Sequence, residues 1–237
     1  MSSKKRLLVL VVLLCLAVCL AFLPCLPTVR DGEGWQASAY NAYNLKQIGL
    51  ALRTYHEMYG RWPPAMKLGA DGQPLYSWRV LLLPFLEEQY LFGQFKLDEP
   101  WDGPHNKPLL EKIPKCYMLA TASKDAAGMT PYQVFVGPGT AFEQDDFPDV
   151  PSDMMLVVEA ASAVPWTKPA DLVYAPGKPL PALGGHFRKP IHLWCYELGR
   201  RDGFNACFAD GQVRFLYSDT DERTLRGYIS RNGEKPE

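Results

Sequence analysis

The chain has 237 residues, of which 47% are hydrophobic and 22% are charged, a composition typical of a globular protein rather than a disordered one. Its 25 basic and 26 acidic residues leave a net charge of −1, which excludes a nucleic-acid-binding surface built on an overall basic excess. The length accommodates one domain of ordinary size together with an appendage.

The first predicted element is an apolar segment near the N-terminus. Residues 7–23 contain no charged side chain, and Lys4, Lys5 and Arg6 precede them. This length lies at the short end of the range for a membrane-spanning helix, and basic residues before the span place the N-terminus in the cytoplasm. We therefore expect a single-pass protein of the cell membrane, held in the membrane by residues 7–23, with an extracytoplasmic C-terminal domain.

Two alternatives to an uncleaved anchor remain open. A cleaved signal peptide usually has a shorter apolar region of about 7–15 residues, and small residues suited to a cleavage site are scarce here. Lipidation of Cys25 would require a small residue just before the cysteine, where Pro24 stands. We expect residues 1–23 to form the cytoplasmic stub and the anchor, residues 24–36 to form a linker, and residues 37–237 to form one extracytoplasmic domain.

A long amphipathic helix is predicted after the linker. Its apolar side chains recur at three- and four-residue steps, which places them along one helical face. These residues are Leu45, Ile48, Leu52, Tyr55 and Tyr59. Ser38 is a suitable N-cap for a helix that begins near residue 39. Gly60 favours a left-handed helix end and Pro63 cannot continue a helix, so the helix is predicted to end at residue 59.

The rest of the chain is predicted to form helical segments followed by short strands. Ser77 is expected to cap a helix, and Pro84 suits the first turn of a second helical piece. Residues 132–136 and 154–159 are rich in strand-forming residues and are bounded by Gly, Pro or Asp. A closing helix is expected at residues 221–230.

The clearest hairpin signal lies near the C-terminus. Asp210 and Gly211 are the favoured pair for a two-residue turn, since both positions of that turn need a positive φ. Pairing about the turn sets Phe208 opposite Val213 on an apolar face, with Cys207 on the other face. Asp210 and Gly211 are therefore predicted to form a structural turn.

The six cysteines include one candidate disulfide. Cys195 and Cys207 flank a predicted turn at residues 199–203, so a bond between the two strands is geometrically feasible in an oxidising compartment. The length of the loop leaves the register of the strands open. Cys116 would then be free or paired with another molecule.

No set of polar residues in the sequence matches a known catalytic or metal-binding pattern. His186, His192, Cys195 and Cys207 have a spacing that corresponds to no common zinc site. The chain contains no Gly-x-Ser-x-Gly elbow, no phosphate loop and no His-Glu-x-x-His sequence. We therefore expect no catalytic residue, no metal, no cofactor and no enzymatic activity.

Three further groups have an ordinary structural explanation. His56 on the long helix is expected to pack or to face solvent. The acidic loop at residues 143–149 is expected to be solvated rather than to bind calcium, which needs several converging oxygen ligands. Glu159, expected at the end of a strand, and Asp171 would act as an acid–base pair only if the fold brought them together.

Several segments in combination resemble a known family, the mostly uncharacterised pilin-like proteins of unknown function that are expanded in planctomycete bacteria. The segments that carry the resemblance are Asn44–Leu52, Tyr55–His56, Trp62–Pro64, Ser77–Pro84, Trp101–Asp102, Val157–Glu159, Trp166–Leu172 and Phe208–Phe215. The resemblance covers about residues 40–233. It implies a pseudopilin-like α+β fold, in which a long N-terminal amphipathic helix packs on an antiparallel β-sheet, preceded here by the single transmembrane helix.

The chain departs from the pattern of that family in two places. Many members carry a prepilin-type segment, with a Gly–Phe cleavage point followed by a glutamate, and nothing in residues 1–30 matches it. The family also tends to carry a histidine, nine residues and then Asp-Gly near its C-terminus, and Arg200 stands at the position of that histidine. Prepilin cleavage, polymerisation and any role of the histidine are therefore not carried over.

These observations predict a non-enzymatic, membrane-anchored extracytoplasmic protein with a pseudopilin-like domain. It is expected to act as a structural or interaction module, a minor component of a secretion or surface apparatus, with protein partners in the cell envelope and no nucleic acid. The alternative is an anchored receptor for a glycan or a small solute, which would use the six tryptophans and the proline-rich loop at residues 165–190.

Overall fold

The structure is a computed structural model of the chain. It describes residues 32–120, 126–143, 150–186, 188–193 and 196–232, and it describes the backbone alone at residues 32–35, 188–193 and 196–201. The predicted anchor at residues 7–23 lies outside the described residues. Within the described ranges, no helix is both long enough and apolar enough to cross a membrane.

The first described element is the long helix α1, Gly32–Tyr59. It ends as predicted, because Gly60 has a φ of 69° and donates its backbone N–H to the carbonyl four residues earlier at 2.8 Å. The predicted start is wrong, since Ser38 lies inside the helix and the last residues of the predicted linker are helical. Ala37 and Ser38 are buried, so packing against the domain extends the helix beyond its local cap signal.

A helical segment connects α1 with the central sheet. Its elements are β1 (Met66–Leu68), β2 (Pro74–Ser77), α2 (Trp78–Leu81), α3 (Gln89–Phe92) and 3₁₀ turns at Leu83–Leu86, Lys107–Lys112 and Lys115–Tyr117. Ser77 caps α2 as predicted, because its Oγ accepts a hydrogen bond from the backbone N–H of Arg79 at 3.3 Å. Pro84 lies in the first turn of the next 3₁₀ piece, where its missing N–H has no consequence.

An antiparallel sheet forms the centre of the domain. The strands that follow the helical segment are β3 (Met129–Gln133), β4 (Phe135–Val136), β5 (Met155–Pro165), β6 (Leu172–Val173), β7 (Arg188–Leu193), β8 (Tyr196–Phe208) and β9 (Val213–Tyr217). The main sheet has the order β3-β5-β8-β7, with β9 also paired to β8, and all of its pairs are antiparallel. Strands β4 and β6 form a short parallel pair beside it.

The hairpin of β8 and β9 has a register that differs by one residue from the prediction. Cys207, and not Phe208, pairs with Val213. The backbone N–H of Gly211 donates to the carbonyl of Phe208 at 2.8 Å, and Gly211 has a φ of 77°, whereas Asp210 has no positive φ. This is a turn followed by a left-handed glycine, the usual three-residue alternative to a two-residue loop, and the extra residue shifts the register.

The predicted turn at residues 199–203 is wrong, because these residues lie within the continuous strand β8 and pair with β7 and β9. Glycine within a strand can mark a close approach of another backbone rather than a turn. A Cβ at Gly203 would lie 2.3 Å from the carbonyl oxygen of Leu216. Close packing of β9 therefore explains this glycine.

Helices cover both faces of the described centre of the main sheet. Helix α1 covers one face, where its Leu52 and Cys207 of β8 belong to the same apolar cluster. The short helix α4, Glu222–Ile229, covers the other face, where Phe208 and Ile229 share a second cluster. The domain is therefore a mixed α+β structure with an N-terminal helix on an antiparallel sheet, and the closing helix predicted near residues 221–230 is confirmed.

Candidate functional site

Two of the segments that carry the family resemblance meet in a buried ion pair. Arg79 Nη2 lies 2.7 Å from Asp171 Oδ1, and the two side chains are 0% and 4% exposed. Arg79 also donates to the backbone carbonyl of Tyr132 at 2.9 and 2.7 Å and to Ser77 Oγ at 2.6 Å. Asp171 Oδ1 accepts further hydrogen bonds from Trp78 Nε1 at 3.2 Å and from the backbone N–H between β3 and β4 at 3.0 Å.

This arrangement joins α2 to β3 and to the loop before β6. Burial raises the pKa of the Asp171 carboxyl, and the neighbouring Arg79 guanidinium and the N–H donors oppose that shift. All three nitrogens of the Arg79 guanidinium group donate to protein acceptors, and both side chains of the pair are almost fully buried. The pair therefore links α2, β3 and the loop before β6.

The second candidate acid, Glu159, has partners of its own. It lies in the interior of β5, and not at a strand end as predicted. Its carboxylate accepts hydrogen bonds from the backbone N–H of Asn205 at 2.7 Å and from the Asn205 side-chain amide at 3.2 and 3.3 Å. Since Asp171 is bonded to Arg79 and no hydrogen bond joins the two acids, the fold does not form an acid–base pair from them.

Of the four residues weighed as a zinc site, the structure describes the side chains of His186 and Cys207 alone. His186 Nε2 lies 2.8 Å from the carbonyl oxygen of Ala160, and Glu143 accepts a hydrogen bond from the backbone N–H of Gly139 at 2.7 Å. The remaining acids of the loop at residues 144–149 lie outside the described residues. In the described part of the chain, no group of three or more His, Cys, Asp and Glu side chains is placed to hold a metal ion.

Of the two cysteines in the predicted disulfide, the structure describes Cys207, which is a free thiol beneath α1. Cys207 is buried, and a Cβ at Gly49 of α1 would lie 2.3 Å from its Sγ. Burial raises the pKa of the Cys207 thiol to about 12, and burial raises that of Cys116 to about 12 as well. Cys195 lies outside the described residues, so the pairing stays a prediction, and the turn from which it was inferred is absent.

A cleft opens between the C-terminal end of α1 and the loop of the β8–β9 hairpin. Its volume is about 430 Å³, within the range of small-molecule sites in proteins. The residues that line this α1 cleft are Arg53, His56, Glu57, Trp62, Val150, Pro151 and Ala209. The α1 cleft is the candidate functional site.

The predicted turn lies beside the α1 cleft and accepts hydrogen bonds from α1. Arg53 Nη1 donates to the backbone carbonyl of Asp210 at 3.3 Å, and Lys46 Nζ donates to that of Gly211 at 2.5 Å. Ala209, the first residue of the same loop, lines the cleft. Asp210 and Gly211 therefore join the sheet to α1 beside the cleft, a role that their turn chemistry alone did not reveal.

The walls of the α1 cleft combine charged and aromatic groups. Arg53 and Glu57 lie one helical turn apart on α1, and among the described residues no ion pair joins them. The ring of His56 lies 4.6 Å from the ring of Trp62, with an angle of 32° between the planes. Trp62 Nε1 is buried and has no hydrogen-bond acceptor in the described part of the chain. A buried donor without an acceptor is rare in folded proteins.

A second cleft lies beside α4. It has a volume of about 500 Å³, and Tyr174 and Arg226 lie on its walls. The Arg226 guanidinium is engaged by the Glu222 carboxylate at 2.9 Å and by the carbonyl of Lys178 at 2.5 Å. Arg223 also lines this cleft, and Arg226 Nη1 is buried with no acceptor among the described residues, so the protein engages this guanidinium only in part.

Residues 42–154 match a family of unknown function. The family is described as a protein of unknown function, DUF1559, and the match begins within α1 and ends just before β5. It includes six of the seven residues that line the α1 cleft, and it includes Arg79 but not its partner Asp171. The chain matches no curated protein and no solved structure.

Proposed function

We propose that the protein is a membrane-anchored, extracytoplasmic structural or interaction module with a pseudopilin-like domain, a minor component of a secretion or surface apparatus. The uncharged run of residues 7–23 supports the anchor. The long helix on an antiparallel sheet, together with the resemblance to the planctomycete family, supports the pseudopilin-like class. Turnover by the purified protein in a broad hydrolase screen would contradict a non-enzymatic role.

An uncharged stripe on the solvent side of α1 carries this proposal. The α1 stripe consists of Tyr40, Tyr43, Gln47, Leu50, Thr54 and Met58. At 3.6 residues per turn, the six positions fall within an arc of about 80° and extend over about 27 Å of the helix. Tyr43, Leu50 and Met58 are 61%, 66% and 64% exposed. Large apolar side chains grouped on an exposed surface are typical of a protein-binding face.

The anchor is tested first by mass and by membrane partition of the protein from a native-type host. We expect the full-length chain to stay in the membrane fraction after an alkaline wash. A mature chain that lacks the apolar segment would contradict a fixed anchor and would indicate a cleaved or lipidated protein.

The α1 stripe is tested by photo-crosslinking in intact membranes. A photoreactive residue replaces Leu50 on the stripe or, as a control, Tyr90 of α3, which is 87% exposed and lies off the stripe. We expect a discrete cross-linked protein from position 50 alone, and we expect Tyr43→Glu to remove it. The proposal of a stripe-bound partner fails if both positions give the same products, or if neither gives any.

The α1 cleft favours a second candidate function, an anchored receptor for a small solute or a glycan. The observation is the combination of an open cleft of about 430 Å³ with charged and aromatic walls. A thermal-shift panel of sugars and small solutes tests this function. If no member of the panel raised the melting temperature, the receptor function would be contradicted.

A further inference from the structure

We propose that the α1 cleft binds a small zwitterion, an amino acid or a short peptide with an apolar side chain, whose carboxylate contacts Arg53 and whose ammonium group contacts Glu57. The proposal rests on the receptor function given above as the second candidate. It adds the chemical class of the ligand and the orientation in which the ligand binds.

The two charges of the cleft stand close together without neutralising each other. Side chains four residues apart on a helix are neighbours, with Cβ atoms about 6 Å apart. An Arg that precedes a Glu by four residues is the less favourable order for a helical ion pair, and none of the ion pairs among the described residues joins Arg53 to Glu57. One small molecule can therefore contact both charges.

Arg53 retains the donors that a carboxylate needs. One of its nitrogens donates to the carbonyl of Asp210 at 3.3 Å. A guanidinium group carries five N–H donors and binds carboxylates through two parallel hydrogen bonds. The hydrogen bond to the hairpin loop thus orients Arg53 at the cleft. The other N–H groups of its guanidinium can bind an anionic group.

The rest of the lining is apolar or aromatic and suits the body of such a ligand. Val150, Pro151 and Ala209 present aliphatic surface, and Trp62 presents a ring whose buried Nε1 has no acceptor among the described residues. A hydrophobic side chain placed against these residues would lose its contact with water, which favours binding. The cleft volume lies at the low end of the range for small-molecule sites, in keeping with a ligand of one or two residues.

Other ligand classes leave part of the site without a partner. An anion without a positive group would bring a second negative charge towards Glu57. A neutral glycan would displace water from Arg53 and Glu57 without supplying an opposite charge to either, and desolvated charges need a partner. A zwitterion is the class that compensates both charges at once.

The test uses the full-length chain in lipid nanodiscs, titrated calorimetrically with defined probes. The zwitterions are L-phenylalanine and leucyl-phenylalanine, and the charge-blocked probes are N-acetylphenylalanine and phenylalanine amide. We expect both zwitterions to bind and the loss of either charge to weaken binding by about tenfold or more, the usual effect of losing a charged hydrogen bond.

Variants of Arg53 and Glu57 show which charged group of the ligand each residue contacts. Arg53→Gln should bind phenylalanine and its amide equally, because the carboxylate no longer has a partner. Glu57→Gln should bind phenylalanine and its N-acetyl form equally, because the ammonium group no longer has one. Lys67→Gln and Glu111→Gln change exposed charges outside the cleft. Both variants should still bind phenylalanine more tightly than its amide and its N-acetyl form.

Each failure has a distinct meaning. The proposal is overturned if neither zwitterion binds. It is also overturned if Arg53→Gln and Glu57→Gln still prefer phenylalanine over its charge-blocked forms as strongly as the unchanged chain does. Binding of neutral sugars without binding of zwitterions overturns the ligand class and leaves the receptor function standing. No binding of any probe contradicts both.

Discussion

At the scale of single residues, Arg79 depends entirely on the partners that the fold gives it. It is 0% exposed, and its hydrogen bonds run to Asp171, Ser77 and the carbonyl of Tyr132. Removal of one partner from a buried ion pair leaves an uncompensated charge and costs about 3–5 kcal/mol. The segments around Arg79 and Asp171 therefore stabilise the fold together, because each charge needs the other.

Gly211 is the residue at which the hairpin loop depends most on backbone conformation. Its φ is 77°, and a Cβ there would lie 2.9 Å from Arg53 Nη1. Gly211→Val should lower the free energy of unfolding by about 1 kcal/mol or more, because a β-branched residue is strained at positive φ. Urea unfolding of the two proteins measures this difference.

The matched control for this prediction is Gly211→Asn. Asparagine tolerates the left-handed region better than valine does, so Gly211→Asn should lose less stability. An equal loss in both variants would attribute the effect to the contact with Arg53 rather than to φ. An unchanged melting temperature for Gly211→Val would contradict the turn assignment.

At the scale of elements, local signals in the sequence predicted helix ends better than strand register. Gly60 and Ser77 act where the sequence placed them, since a left-handed glycine and a side-chain cap depend on neighbours within a few residues. Ser38 is an equally good cap by type, yet tertiary packing buries it inside α1. The predicted register of the hairpin is wrong because Asp-Gly is compatible with both two-residue and three-residue loops.

The α1 cleft was beyond what the sequence could predict. Its residues come from the helix, from the segments near residues 62 and 150, and from the β8–β9 loop, so no local pattern links them. Of these residues, the sequence suggests a local interpretation for His56, as a packed or surface side chain, and includes Trp62 among the six tryptophans of the receptor alternative. Hydrophobic periodicity did predict the packed face of α1 at Leu45, Ile48, Leu52 and Tyr55, whereas Tyr59 of the same predicted face is 56% exposed. That orientation places Arg53 and Glu57 towards the cleft.

The contact of α1 with the sheet depends on a glycine that faces a cysteine. A Cβ at Gly49 would lie 2.3 Å from Cys207 Sγ, so Gly49→Ala should destabilise the domain by roughly 1–3 kcal/mol through overpacking. Alanine is the better helix former by about 1 kcal/mol. In a Cys207→Ala background, where the sulfur is absent, Gly49→Ala should therefore become neutral or stabilising.

Urea unfolding of the four proteins of this double-mutant cycle measures the coupling between the two sites. The cycle separates overpacking from helix propensity, because only the former depends on Cys207. If Gly49→Ala raised stability in the unchanged background, the close approach of α1 to β8 would be contradicted.

At the scale of the whole molecule, a sheet covered on both faces places several titratable groups out of contact with water. Cys207 lies under α1, and Cys116 is buried in the same apolar cluster. Tyr117 and Tyr132 are also fully buried, and burial is the main cause that raises the pKa of each. All four groups are neutral when protonated, so the folded domain holds these protons more tightly than the unfolded chain does.

The domain should therefore lose stability at alkaline pH. The thiols of Cys116 and Cys207 have a pKa of about 12 in the folded state, against about 8.5 in an unfolded chain. Above about pH 8.5 the unfolded chain releases these protons first, so it binds fewer protons than the folded state and the free energy of unfolding falls as pH rises. Their stabilising contribution is complete below about pH 8.5 and is lost on the way to about pH 12. Tyr117 and Tyr132 extend the loss above about pH 10.

Urea unfolding at pH 7 to 10 measures this effect, with a slope that approaches about 1.4 kcal/mol per pH unit for each thiol above its unfolded pKa. The Cys116→Ala, Cys207→Ala double variant is the matched control. It should start from a lower stability because it loses buried volume, but its stability should change less between pH 8.5 and 10. A slope equal to that of the unchanged chain would show that these thiols are accessible to solvent, and the close cover of α1 over β8 would then be wrong.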